Sequence, residues 1–152
     1  MALKIGSKAP EIKLESTSEQ IFDLSLSLKG KPCIIYFYPK NFTPGCTEEA
    51  CTFRDAFSDF IDLDVTVIGI SKDSISSHQK FKKEYSLPFE LLSDPKGEVC
   101  KSYDALIPLI KVPKRITYLL DVEHKVAAVY QDMFGAKKHI EIMLNKMKSA
   151  NT

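Results

Sequence analysis

The residues best suited to chemistry in this chain sit close together. Pro39, Thr43 and Cys46 lie in the segment Pro-Lys-Asn-Phe-Thr-Pro-Gly-Cys, and Cys51 follows five positions later. A cysteine acts as a nucleophile through its thiolate, so what matters is which surroundings favour the charged form. Thr43 followed by Pro44 reads as an N-cap and a first helical position, which puts Cys46 in the first turn of a helix. Unpaired backbone N–H groups and the helix dipole favour a thiolate there. His78, His124 and His139 are all remote from this motif in sequence, so position points to no cysteine–histidine pair, although folding could bring one close. A helix terminus plus a cation is the simpler activation, and Arg115, just ahead of the β-rich run 116–120, is the cation placed to supply it.

The elements that must hold these residues follow from periodicity. Residues 32–38 and 65–71 are near-continuous apolar runs, the pattern of strands buried on both faces. Between them, Ala50, Phe53, Phe57, Phe60 and Ile61 recur at helical spacing and predict one helix over 48–61. Strand, helix and strand make a right-handed parallel unit, with the motif at the C-terminal end of the first strand, where open α/β sheets carry their sites. Short strands are expected at 12–15, 21–24 and 89–92, and helices at 74–85, capped by Ser74, and at 96–103. The charged run Lys80, Lys82, Lys83, Glu84 reads as a solvated helix face. Runs 116–120 and 126–130 are joined closely enough for an antiparallel hairpin, and a closing helix from about Ala136 carries the apolar stripe Ile140, Met143, Leu144, Met147. This order is thioredoxin-like.

Composition removes several function classes. Apolar residues at 44% and charged ones at 27% suit a single globular domain over 1–152 rather than a disordered chain. With 21 basic against 20 acidic residues there is no global field to hold nucleic acid or an anionic membrane. The N-terminus lacks the apolar stretch of a secretory signal and no run is long enough to span a bilayer, so a cytoplasmic protein is expected. Cys33, inside the apolar strand, and Cys100, in the amphipathic segment 96–103, read as packed thiols. The pair Cys46-x₄-Cys51 has no matching second pair, so neither a zinc site nor any other cofactor is expected.

The spacing Pro39-x-x-x-Thr43-x-x-Cys46, with Arg115 in Arg-Ile-Thr-Tyr-Leu-Leu-Asp, resembles the active-site pattern of the peroxiredoxin superfamily. Cys51, and Glu49 between the two cysteines, further resemble the peroxiredoxin Q, or bacterioferritin comigratory protein, subfamily. The similarity runs from Gly6-Ser-Lys-Ala-Pro to the terminal helix. It implies an α/β thioredoxin-like fold, a central mixed β-sheet flanked by helices, with an N-terminal β-hairpin. It also implies a thiol peroxidase acting on hydrogen peroxide and organic hydroperoxides. Cys46 would be the nucleophile, Thr43 a donor to peroxide or thiolate, Pro39 a shield against water, Arg115 the electrostatic stabiliser and Glu49 the group that orients it. The sulfenic acid left on Cys46 would condense with Cys51, or less expectedly with Cys100, and thioredoxin or a similar dithiol would reduce the disulfide of what is expected to be a monomer. The loop 105–114 is apolar where such proteins tend to have glycine, which suggests a hydrophobic lip beside the site. The alternative reading is a redox-inactive thioredoxin-like binding module.

Overall fold

Cys33-Ile-Ile-Tyr-Phe37 carries no charged side chain on either face, and all five residues are buried in the strand at the middle of the sheet. The computed structural model describes residues 2–131 and 136–150. In chain order the elements are β1 (Lys13–Ser16), β2 (Ile21–Asp23), α1 (Leu24–Ser27), β3 (Cys33–Phe37), α2 (Pro44–Asp55), α3 (Phe57–Asp62) and β4 (Thr66–Ser71). There follow α4 (Ile75–Glu84), β5 (Glu90–Ser93), α5 (Glu98–Ser102), β6 (Ile116–Leu120), β7 (Val126–Gln131) and α6 (Ala136–Ala150). The strands form one mixed sheet in the order β2-β1-β5-β4-β3-β6-β7. β3, β4 and β5 run parallel, while β6 pairs antiparallel with both β3 and β7, and β1 and β2 form the N-terminal antiparallel hairpin. No helix among the described residues is long and apolar enough to cross a membrane.

Alternation along β3 splits the core. Ile34 and Tyr36 face Ala50 and Phe53 of α2 and Ile140, Met143 and Met147 of α6, so these two helices cover one face. Cys33, Ile35 and Phe37 face the other way, against Tyr103, Tyr118 and Leu120. Tyr36 lies flat on Phe53, with ring centroids 4.6 Å apart, and it does so by crossing Gly69 of β4. A Cβ at Gly69 would sit 2.7 Å from the Tyr36 ring, closer than real contacts allow.

Four local expectations need correction. The helix over 48–61 begins earlier, at Pro44, and breaks at Ala56 into α2 and α3. The break turns α3 so that Phe60 is buried beside Phe53 while Ile61, expected on the apolar stripe, is 56% exposed. One straight helix would have aimed both residues inward. Leu24 is not the end of a strand but the start of α1, because Asp23 accepts from the Ser25 N–H and caps a helical turn. The strands at 12–15 and 89–92 each lie one residue further along, at Lys13–Ser16 and Glu90–Ser93.

Candidate active site

Pro44 and Gly45 open α2 and place Cys46 third in the helix, 1% exposed. Glu49, one turn on, shares its face by the i, i+3 relation and is fully buried. Arg115 arrives from the stem of β6, which the antiparallel pairing of β3 with β6 brings beside the end of β3. Its Nη2 donates to Cys46 Sγ at 3.3 Å and its Nη1 to Glu49 Oε1 at 2.7 Å. The planar guanidinium thus spans thiol and carboxylate at once, a geometry that lysine lacks. Gly45 permits the approach, since a Cβ there would lie 3.0 Å from Arg115 Nη2.

The charges compete in a nearly dry site. Burial pushes the Glu49 carboxyl up to about 8, against the downward pull of the charge and hydrogen bond of Arg115. Burial also works against the charge on Arg115, but Glu49 and then Cys46 outweigh it and hold the guanidinium above its usual range.

The chain enters α2 through a constrained loop. Phe42 adopts φ +66°, a left-handed conformation rare for a bulky residue, and its ring packs on Phe81 and Tyr85 of the α4 region. Asn41 is buried. Its N–H donates to Asp73 Oδ2 at 3.0 Å and its Oδ1 accepts from Tyr38 Oη at 2.6 Å. Its Nδ2 lies 3.1 Å from Ser77 Oγ and 3.0 Å from His78 Nδ1. Burial lowers the His78 imidazole to about 4, so it stands neutral in this network.

The structure brings Cys46, Arg115 and Glu49 into direct contact. Thr43 occupies the N-cap position but does not cap α2 with its side chain; the hydroxyl donates to the Lys40 carbonyl at 2.8 Å, because the tight turn 40–43 offers that acceptor first. Pro39 is half-buried and lines a cleft of about 330 Å³ with Lys40, Lys72, Ile110, Val112 and Pro113. The loop 105–114 therefore does reach the motif, and its tip presents Leu109 at 96% and Ile110 at 66% exposure. Cys51 lies further along α2, half-buried and unbonded to Cys46. Burial pushes the Cys33 thiol up to about 12 and holds the Cys100 thiol high as well. Both belong to the core on the opposite face of the sheet from Cys46. Sequence reasoning passed over Gly45, and it left open whether folding would bring His139 close; the structure sets its Nδ1 3.9 Å from Glu49 Oε2. The signal for His139 was its spacing of four and eight from Met143 and Met147, which puts it on the buried stripe of α6.

Fold and site define a thioredoxin-like α/β protein with a guanidinium-bound thiol in the first turn of the helix after its central strand. The chain belongs to the AhpC/TSA family, whose model matches residues 5–129. It is 44% identical over 136 residues to a Coxiella burnetii relative bearing the name peroxiredoxin bcp, covering 86% of this chain and 89% of that one. It is 42% identical over 145 residues to chloroplastic peroxiredoxin Q of Oryza sativa subsp. japonica, covering 95% of this chain and 66% of that one. The crystal structure of peroxidoxin BcpB from Mycobacterium tuberculosis matches with a TM-score of 0.92 at 30% identity, covering 99% of both chains. The protein is accordingly a thiol-dependent peroxidase, taking a peroxide as substrate and a thiol as reductant.

Proposed function

We propose that Cys46 is the peroxide-reducing thiol and Cys51 its resolving partner. The observation that carries this reading is the 3.3 Å contact of Arg115 Nη2 with Cys46 Sγ, backed by Glu49 on the same guanidinium. The Cys46 thiolate attacks one peroxide oxygen and the O–O bond breaks. Sulfur gains an oxygen and is oxidised, and the second oxygen leaves as hydroxide or alkoxide and takes a proton to give water or an alcohol. Arg115 stabilises the charge as it moves from sulfur to oxygen, an electrostatic role that a fixed cation fills without reorganising. Thr43 supplies a further donor when its hydroxyl turns from Lys40, and Pro39 keeps water from the thiolate. The Cys51 thiol then displaces water from the Cys46 sulfenic acid to form the disulfide. A dithiol of the thioredoxin kind exchanges with that disulfide and is itself oxidised. Ile110, Val112 and Pro113, set among Lys40, Lys72, Asp73 and Lys111 in the cleft beside Pro39, offer an organic hydroperoxide some apolar surface, so such substrates are read as accepted alongside hydrogen peroxide. We read the protein as one domain over 1–152 working as a monomer in a reducing compartment such as the cytoplasm, which suits a cycle that ends on a dithiol.

The test is peroxide-dependent oxidation of a thioredoxin system by intact protein, Cys46→Ser and Cys51→Ser. Loss of turnover in the first variant and a stalled sulfenic acid in the second are expected. Turnover by Cys46→Ser rejects the assignment, and capture of partner proteins without peroxide consumption by the intact chain would favour the binding module.

A further inference from the structure

Between β3 and α2 the chain passes abruptly from a fixed residue to a strained one. Asn41, 4% exposed, is held from the end of β3, from α4 and from the segment after β4. Its Oδ1 accepts from Tyr38 Oη, its Nδ2 contacts Ser77 Oγ and His78 Nδ1, and its backbone N–H donates to Asp73 Oδ2. These anchors are themselves fixed. Asp73 Oδ2 also accepts from Ser71 Oγ, the Asp73 carbonyl accepts from Ser93 Oγ, and the neutral, fully buried His78 ring bonds to the backbone of Leu92 and Ser71. With its proton on Nε2 that ring offers Nδ1 as an acceptor, so the amide oxygen of Asn41 and both of its N–H groups find partners. Phe42 is the opposite case, 46% exposed and held at φ +66°, a conformation that is unfavourable for a bulky side chain.

The two neighbours respond in opposite ways to any opening of the thiol turn. Pulling Asn41 out leaves Tyr38 Oη and His78 Nδ1 only their long 3.3 Å contact with each other and takes a donor from the Asp73 carboxylate. Buried polar groups that lose their partners are costly. Releasing Phe42, by contrast, lets its backbone leave the left-handed region. Nor does the disulfide ask for more. On a regular helix the Cα atoms of Cys46 and Cys51 are only about 1.6 Å too far apart for an unstrained bond. Five virtual bonds of about 3.8 Å join Asn41 to Cys46, ample slack once the first turn of α2 lets go. We infer that Asn41 is a positioning residue for the thiol turn: it stays anchored through the whole cycle, and α2 unwinds only beyond it, from a hinge at Phe42. The Lys40 carbonyl, which receives the Thr43 hydroxyl in the reduced protein, then keeps its place while the helix is open, and so does Pro39. Reduction of the disulfide returns Thr43 and Cys46 to an intact seat instead of one that must refold.

The hinge rests on the Cys46–Cys51 disulfide proposed above, and its test separates the two. Mass spectrometry first establishes the disulfide in peroxide-treated wild type, and NMR then reads hydrogen exchange, proton by proton, in the reduced and oxidised protein. Thr47, whose N–H bonds the Thr43 carbonyl, and the amides onward to Cys51 should exchange about a hundredfold faster after oxidation. The Asn41 amide, its two Nδ2 protons and the Tyr38 amide, which bonds the Ile70 carbonyl, should stay within about threefold of their reduced rates. Asn41→Ala keeps only the backbone tie to Asp73. In that variant the loss should spread upstream on oxidation, with Tyr38 and position 41 exchanging about tenfold faster in the disulfide form than in the reduced form. A purely structural role would lower protection equally in both forms. Asn41 protons that lose protection together with Thr47 in the wild type overturn the inference, as does full protection of 47–51 in protein carrying the disulfide. An Asn41→Ala boundary that stays at position 42 does the same, and the wild-type reading decides alone if that variant does not fold. Peroxide-treated protein without the 46–51 disulfide rejects instead the underlying reading, and the hinge with it.

Discussion

Arg115 meets two demands with one planar group, and removing it leaves both unmet. Arg115→Ala should move the Cys46 thiolate titration to higher pH and lower the peroxide rate on the order of 10²–10³-fold, the usual loss when a fixed donor to developing charge is deleted. It should also destabilise the fold by about 1–3 kcal/mol, because the Glu49 carboxyl, which burial then keeps protonated, loses its buried hydrogen-bond partner. Urea titration and stopped-flow rates read the two effects, and an unchanged rate would show that the guanidinium acts only structurally. Gly45 is the quieter requirement. A methyl there would press on a guanidinium that Glu49 already fixes, so Gly45→Ala should slow peroxide reduction about tenfold with little change in stability, given that displacements well under 1 Å matter at reacting atoms. Wild-type kinetics in Gly45→Ala would mean that Arg115 yields freely.

At the scale of elements, α2 cannot keep its shape through the proposed cycle. Cys46 and Cys51 lie on one continuous helix, Pro44–Asp55. Five residues of regular helix separate Cα atoms by roughly 8.6 Å, since they advance about 7.5 Å and turn about 140°. An unstrained disulfide needs less than roughly 7 Å. Forming the Cys46–Cys51 bond should therefore unwind the first turns of α2 and expose the disulfide to its reductant. Hydrogen exchange across residues 43–57 should lose protection when the reduced protein is treated with peroxide. Protection that survives a disulfide confirmed by mass spectrometry would contradict this motion. The left-handed Phe42 and the Asn41 network sit where the helix must part from the sheet.

For the whole molecule, two buried groups set opposing pH dependences. His78 stands at about 4 against an ordinary 6.5. The native state therefore resists its protonation, and the stability it confers is lost as pH falls from 6.5 through about 4. That interval corresponds to about 3 kcal/mol. Glu49 runs the other way. Its folded value of about 8 lies above 4.5, so its contribution is fully present below 4.5 and disappears as pH rises through about 8. The two oppose each other between 4.5 and 6.5, so the informative comparison is between variants. His78→Gln should lose less stability than the wild type on acidification from 6.5 to 4, and Glu49→Gln should remove the decline toward pH 8. Denaturant titrations over that range read both. Parallel profiles for wild type and His78→Gln would mean that His78 does not titrate across the interval.

What the sequence by itself determined was local or periodic. Residues 116–120 were legible as a strand to the residue, Ser74 as the cap of α4 and the placing of Cys46 in a first turn, because each depends on neighbours within a few positions. Tertiary structure decided whatever rests on pairing between distant segments. Arg115 meets Cys46 across 69 positions only because β6 lies antiparallel to β3, and His139 reaches Glu49 only because α6 packs on α2. The break at Ala56 and the exposed Ile61 were hidden for the same reason: periodicity shows that a face is apolar, not where the sheet beneath it ends. The hydroxyl of Thr43 was the reverse case: the N-cap position was legible locally, but the side chain donates to the Lys40 carbonyl and accepts from no helix N–H, an orientation that the fold of the turn decided. Short-range preferences are written along the chain, whereas the burial that turns Cys46, Glu49 and Arg115 into a coupled set exists only once the sheet and its helices have closed over them.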